Sequence, residues 1–177
     1  MIRKAVHADL PGIERVMRAS MSSLGAKFYD AQQTASAVEF ISVIDPQLID
    51  DQTYFVVEAD GRIVACGGWS KRAKLFSGPS SESGKAALLD PATDAARIRA
   101  MFVDPAYARR GLGRQILEAA ERDATLAGFR TFELMATLPG VPLYRACGYE
   151  EIERAAIELP DGTQLDCVRM TRCANPS

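Results

Sequence analysis

The sequence predicts a mixed α/β domain of the α+β kind, in which short strands outnumber helices. Three observations carry that prediction. Asp60-Gly61 and Asp161-Gly162 each stand between strand-like runs, and Asp-Gly in that setting is a strong short-range hairpin signal. The stretch from Gly111 to Ala127 places its apolar residues on one arc, as a helix packed on a sheet requires. At 177 residues, 47% hydrophobic and 25% charged, the chain suits one globular domain over residues 1–177 with a sizeable core.

In chain order, Ile2 to Val6 reads as a first strand. Asp9 then stands as the N-cap of a helix that tolerates Pro11 in its first turn. A second helix is expected from Ala31 to Ile44, with Ala35, Val38, Phe40 and Ile41 toward the core and Pro46 beyond its end. The linker between the helices, SSLGAKFYD, is a candidate active-site lid. Thr53 to Glu58 and Arg62 to Ser70 form the first hairpin. Residues 72–94 are rich in Gly, Ser, Pro and Lys, and a connection of that length is functional or mobile.

A strand from Arg97 to Val103 follows, then the helix from Gly111, closed by Gly128. Leu112, Ile116, Leu117, Ala120 and Ala124 form its apolar arc, with Arg114, Glu118, Glu121 and Arg122 on the polar one. Arg130 to Ala136 is a further strand and Pro142 to Cys147 a short helix. Glu151 to Leu159 and Gln164 to Thr171 make the closing hairpin. No internal repeat is present.

Charge and cysteine content exclude several functions. A formal net charge of -2 argues against a protein built to wrap nucleic acid, which needs a strongly basic face. Cys66, Cys147, Cys167 and Cys173 form no CxxC pair and His7 is the single histidine, so no metal site is expected and the thiols read as reduced. The opening MIRKAVHADLPGIERVM is charged throughout, and no segment approaches the roughly 20 apolar residues of a membrane span. A cytoplasmic protein with no membrane partner is the expectation.

The stretch MFVDPAYARRGLGRQIL, Met101 to Leu117, runs a strand through a basic glycine turn into a helix. Backbone N–H groups at such a turn converge, and the helix dipole adds partial positive charge, which suits a phosphate. Gly111 and Gly113 let the main chain approach an anion, while Arg109, Arg110 and Arg114 can add charge-assisted contacts. Read alone, the same residues also describe an ordinary strand-to-helix connection with solvated arginines. No GxxxxGK[ST] run exists, and a GxGxxG fingerprint would need a third glycine where Gln115 and Ile116 stand.

The region resembles the GCN5-related N-acetyltransferase (GNAT) family. That family's signature is an apolar-x-Val-x-Pro strand end followed by [RQ]xxGx[GA] and a helix. Here it reads MFVDP and then Ala108 to Gly113, with Ala108 where the family more often has Arg or Gln. IRKAVHADLPGIERVM resembles the family's opening strand and helix, and VPLYRACGYEEI its late YxxxG[FY] segment. The resemblance implies a bent, mostly antiparallel sheet of about seven strands with about four helices. It also implies a splay between the strands Arg97 to Val103 and Arg130 to Ala136 that admits acetyl coenzyme A (acetyl-CoA), the donor substrate. Met101, Phe102 and Val103 would then offer backbone groups to the pantetheine arm and thioester. Arg109, Arg110, Gly111, Leu112, Gly113 and Arg114 would hold the pyrophosphate.

The implied reaction moves an acetyl group to a primary amine by direct attack in a ternary complex. A thioester is already activated, so position and a polarising N–H suffice and no covalent intermediate is needed. Cys147 therefore reads as a core residue and not a nucleophile. Tyr144 occupies the family position that protonates the departing thiolate; Tyr149 and Tyr107 read as structural. No general base is assigned: Glu58, Glu133 and Asp94 are candidates that read equally as edge charges. The acceptor, a small molecule or peptide amine, carries no motif here; Phe28, Tyr29, Trp69, Phe76 and the long loop could line its pocket or simply pack. A non-catalytic acyl-CoA sensor or regulatory module is the alternative. A homodimer through a sheet edge stays open, with Gln164 to Thr171 as the candidate edge.

Overall fold

The computed structural model describes residues 1–73 and 87–174. Seven strands form one sheet: β1 (Ile2–Lys4), β2 (Tyr54–Ala59), β3 (Arg62–Ser70), β4 (Ala96–Val103), β5 (Thr131–Thr137), β6 (Glu150–Glu158) and β7 (Gln164–Cys173). Their spatial order is β1-β2-β3-β4-β5-β7-β6, and every pairing is antiparallel except β4 with β5. Both hairpin turns carry the left-handed backbone that Asp-Gly supplies, with φ of 51° and 71° at Asp60 and Gly61 and 83° at Gly162.

The helices are α1 (Leu10–Leu24), α2 (Ala31–Phe40), α3 (Gln47–Asp50), α4 (Leu112–Leu126) and α5 (Val141–Ala146). They divide between the two faces of the sheet, and the period-two alternation of the strands feeds both. In β2, Phe55 and Val57 join a cluster with Ile116, Leu117, Ala120 and Ala124 of α4. Tyr54 and Val56 join another with Ile13, Val16 and Met17 of α1 and Leu48 and Ile49 of α3. A third cluster packs Met21 and Ala37 against Ile157, Leu165 and Cys167 of the last two strands. No helix among the described residues is long and apolar enough to cross a membrane.

Several sequence expectations are corrected. The second helix stops at Phe40, short of Ile44, because Ser42 turns inward and its buried hydroxyl donates to the Met17 carbonyl at 3.3 Å. Ala35 is exposed, and Ser36 and Ala37 are buried in its place. Asp9 does not cap α1 with its side chain; it accepts the Val6 N–H at 2.8 Å and pairs with Arg3 at 2.7 Å. Glu121, assigned to the polar arc of α4, is buried because Arg172 of β7 and the Tyr149 hydroxyl meet it at 2.9 Å each. Gln164 to Thr171 is not an edge: β7 lies between β5 and β6, paired with all of β5 from Thr131↔Cys173 to Thr137↔Cys167. The edges are β1 and β6.

The long connection after β3 is pinned at its two ends. Ala73 donates to the Ala87 carbonyl at 3.0 Å, and Leu89 to that of Lys71 at 2.8 Å. Phe76 lies outside the described residues.

Candidate active site

The sheet opens between β4 and β5. The two strands run parallel but pair only at Ala96↔Phe132 and Arg97↔Glu133, so residues 98–103 have no strand partner on that side among the described residues. On its other side β4 carries a bulge. Phe102 pairs with Cys66 and Arg99 with Gly68, so Ala100 and Met101 together face the single residue Gly67. Ala100 takes the extra turn in left-handed backbone, φ 51°. The buried Tyr54 hydroxyl holds it there, donating to the Ala100 carbonyl at 2.6 Å. Gly67 is required because a Cβ at that position would overlap the Met101 sulfur and stand 2.8 Å from Ile116. The two glycines inside β3 were the readable sign of this bulge.

Where the gap is widest, β4 leads into the basic turn. Asp104 anchors it, accepting the Ala106 N–H at 3.0 Å and Arg15 at 3.2 Å. Tyr107 donates to Asp60 at 2.8 Å and stacks under Arg110, whose guanidinium carbon is 4.9 Å from the ring centroid. Arg109 and Gly111 are both left-handed, with φ of 67° and 79°. Such alternation folds successive N–H groups into a concavity, and α4 begins from a glycine with no side-chain cap. The two glycines act differently. A Cβ on Gly111 would meet nothing within 4 Å, so its need is conformational. A Cβ on Gly113 would stand 2.9 Å from Leu143, so its need is the packing of α4 on α5. Arg109 and Arg110 are exposed, whereas Arg114 turns aside to donate to the Ala146 carbonyl at 3.3 Å.

Helix α5 brings Tyr144 to the same opening. Its ring is buried, edge-on to Tyr149 with centroids 5.7 Å apart, and Gly140 leaves the room it needs. No described residue hydrogen-bonds its hydroxyl, and burial raises its pKa above the usual phenol range. The group therefore stays protonated across neutral pH. Tyr144 lines a cleft of about 70 Å³ together with Arg99, Met101 and Phe102 of β4, Leu134, Met135 and Thr137 of β5, and Ile157 and Cys167 of β6 and β7. Burial pushes the Cys167 thiol up to about 12, so it is not a thiolate. Cys147 stands outside the cleft, in a groove along α4, and desolvation raises its thiol as well.

The three carboxylates considered as bases are engaged elsewhere. Glu58 pairs with Arg3 at 2.7 Å, Glu133 with Arg97 at 2.8 Å and Arg169 at 2.5 Å, and Asp94 accepts the Asp90 N–H at 2.7 Å. None lines the cleft. Of the aromatic candidates, Trp69 is in the core, its indole N–H on Asp123 at 2.8 Å and its ring against Phe129. Tyr29 ties the linker down, donating to the Asp166 carbonyl at 2.6 Å and accepting from the Leu138 N–H at 2.9 Å. Phe28 is half exposed. Arg99 is the cleft residue that sequence reasoning missed; an arginine in the strand ARIRAMFV was its only signal.

A sheet opened between parallel neighbours, with a bulged strand on one side and a basic turn following it, is the arrangement that the resemblance to acetyl-CoA-dependent transferases implies. The acetyltransferase (GNAT) family model matches residues 17–149, and the chain belongs to that family. It is an acetyl-CoA-dependent acyltransferase. Among solved structures it is similar to a GCN5-related N-acetyltransferase from Rhodopseudomonas palustris, at 18% identity over 98% of this chain and 95% of that one, TM-score 0.72. It is also similar to the PaiA N-acetyltransferase from Thermoplasma acidophilum in complex with coenzyme A, at 14% identity over 98% of each chain, TM-score 0.67. The yncA structure from Salmonella typhimurium, with its cofactor acetyl-CoA, aligns at 17% identity over 100% and 97%, TM-score 0.61. No curated protein matches the sequence.

Proposed function

We propose that the protein transfers an acetyl group from acetyl-CoA to a primary amine by direct attack within a ternary complex. The observation that carries this reading is the opening between β4 and β5, with the bulged backbone and Tyr144 both lining the cleft there and the basic turn following directly on β4. The similar structures with coenzyme A and with acetyl-CoA support the donor. When bound, acetyl-CoA supplies an activated thioester. The N–H groups of residues 109–114, with Arg109 and Arg110, hold the pyrophosphate at the positive end of α4. Met101, Phe102 and Val103 bind the pantetheine arm as a neighbouring strand would, and a β4 N–H polarises the thioester carbonyl. The neutral amine attacks the acetyl carbon, the carbon–sulfur bond breaks as Tyr144 hands its proton to the departing sulfur, and the proton that the new amide nitrogen sheds passes to solvent, from which the Tyr144 hydroxyl is restored. Neither Cys167 nor Cys147 is needed as a carrier.

The test is a panel of primary amines incubated with acetyl-CoA, with mass detection of acetylated product and a parallel donor-binding measurement. Product from at least one amine, with coenzyme A released in equal amount, is expected. Donor binding with no product across the panel would favour an acyl-CoA sensor.

A further inference from the structure

Among the described residues that line the cleft beneath the β4–β5 opening, Arg99 is the one charged residue and none is a carboxylate. Its side chain is 2% exposed, an unusual place for a guanidinium. Asp45, which does not line the cleft, stands 3.9 Å away and holds it in place. A concave site whose lining charge is positive attracts anions and repels a second ammonium. Arginine is also the side chain whose planar fork matches a carboxylate. Ile41, Phe102, Met135 and Ile157 of the same lining are apolar.

We infer that the acceptor is an amino-carboxylate with an apolar body, and that Arg99 selects it by binding the carboxylate while the amine faces the thioester. This rests on the acetyl-transfer reading of the same cleft. Arg99 lies two residues before Met101 on β4, and both line the cleft. An acceptor whose amine and carboxylate are a few bonds apart can reach both. Desolvation disfavours the charge on Arg99 and Asp45 opposes that loss; the acceptor's carboxylate adds to the opposition. Polyamines, with a second cation and no anion, fit poorly. Arg99 is thus a positioning and specificity residue.

The experiment compares phenylalanine and methionine with the primary amines left when their carboxyl groups are removed, alongside spermidine. The wild-type protein is expected to favour each acid over its matched amine by at least about tenfold in kcat/KM. In Arg99→Met that preference should vanish, through a raised KM for the acids with kcat little changed, while acetyl-CoA binding persists. Should Arg99→Met fail to fold, Arg99→Lys keeps the charge without the fork and is expected to raise the KM for the acids by a smaller factor. Equal use of acid and amine by the wild type, a preference undiminished in a folded Arg99→Met, or an unchanged KM for the acids in Arg99→Lys, overturns the inference and leaves acetyl transfer standing. Donor binding without turnover of any acceptor overturns it too. Loss of acetyl-CoA binding by the wild type would instead remove the reading on which it rests.

Discussion

Tyr54→Phe tests whether one hydroxyl, remote in sequence from β4, shapes the donor site. The Tyr54 hydroxyl is buried and donates to the Ala100 carbonyl at 2.6 Å, at the residue that takes the left-handed turn of the bulge. Left-handed backbone on a residue other than glycine costs about 1–2 kcal/mol and persists only while its surroundings hold it. Removing the hydroxyl forfeits about 1 kcal/mol of hydrogen bond and leaves a partly buried carbonyl without that donor, for a total of about 2 kcal/mol. At roughly 2–4 °C per kcal/mol for a chain of this size, Tm should fall by roughly 4–8 °C. Without that hydrogen bond the Ala100–Met101 backbone is less firmly positioned, so the Kd for acetyl-CoA should rise by about tenfold, a binding loss of about 1.4 kcal/mol. Thermal melting and a donor titration on the same variant read both quantities. A Tm within about 1 °C of wild type would refute the energetic argument. A lowered Tm with unchanged donor affinity would refute the link between bulge and binding.

Tyr144→Phe keeps the ring against Tyr149 and removes only the proton donor, so kcat should fall by roughly 10²–10⁴-fold with the donor Kd little changed; steady-state kinetics and a melting curve check this. Because no carboxylate among the described residues lines the cleft, kcat/KM should rise with pH at a log–log slope of about 1 until the acceptor amine itself is deprotonated, and a plateau well below that point would reveal a base in the protein. Gly111→Val should abolish the acetyl-CoA-dependent rise in Tm through its left-handed φ of 79°, whereas Gly113→Ala should cost stability by pressing on Leu143. Arg72 holds the Asp51 carboxyl below its ordinary 3.8. Its contribution to stability is therefore present above the unfolded pKa near 4 and lost as pH falls through the lower folded value. Asp51→Asn should flatten the acid limb of Tm against pH, and an unaltered limb would count against the pair.

The local signals in the chain placed most of the elements. Asp60-Gly61 and Asp161-Gly162 located both hairpins because a left-handed turn demands those residues wherever they stand. The apolar arc of α4 found its buried face for a similar reason, since a helix's periodicity belongs to the helix alone. What local pattern could not give was anything decided by a partner far along the chain. Glu121 reads as a surface carboxylate until Arg172 crosses from β7, and the order β5-β7-β6 depends on which strand the last hairpin returns to. The basic turn was legible through glycines and arginines, but the distinct needs of Gly111 and Gly113 required the position of Leu143. Arg99 was invisible because an arginine in a strand reads as exposed unless the opposite face of the sheet is known to be covered.

The central claim is that the opening between β4 and β5 is the donor site, and a crystal structure of the protein with acetyl-CoA tests it most directly. The account predicts the pyrophosphate on the N–H groups of residues 109–114, the pantetheine arm against Met101 to Val103, and the sulfur within hydrogen-bonding reach of the Tyr144 hydroxyl. Acetyl-CoA seated elsewhere, for instance wholly within the groove along α4, or a Tyr144 hydroxyl turned away from the sulfur, would contradict it.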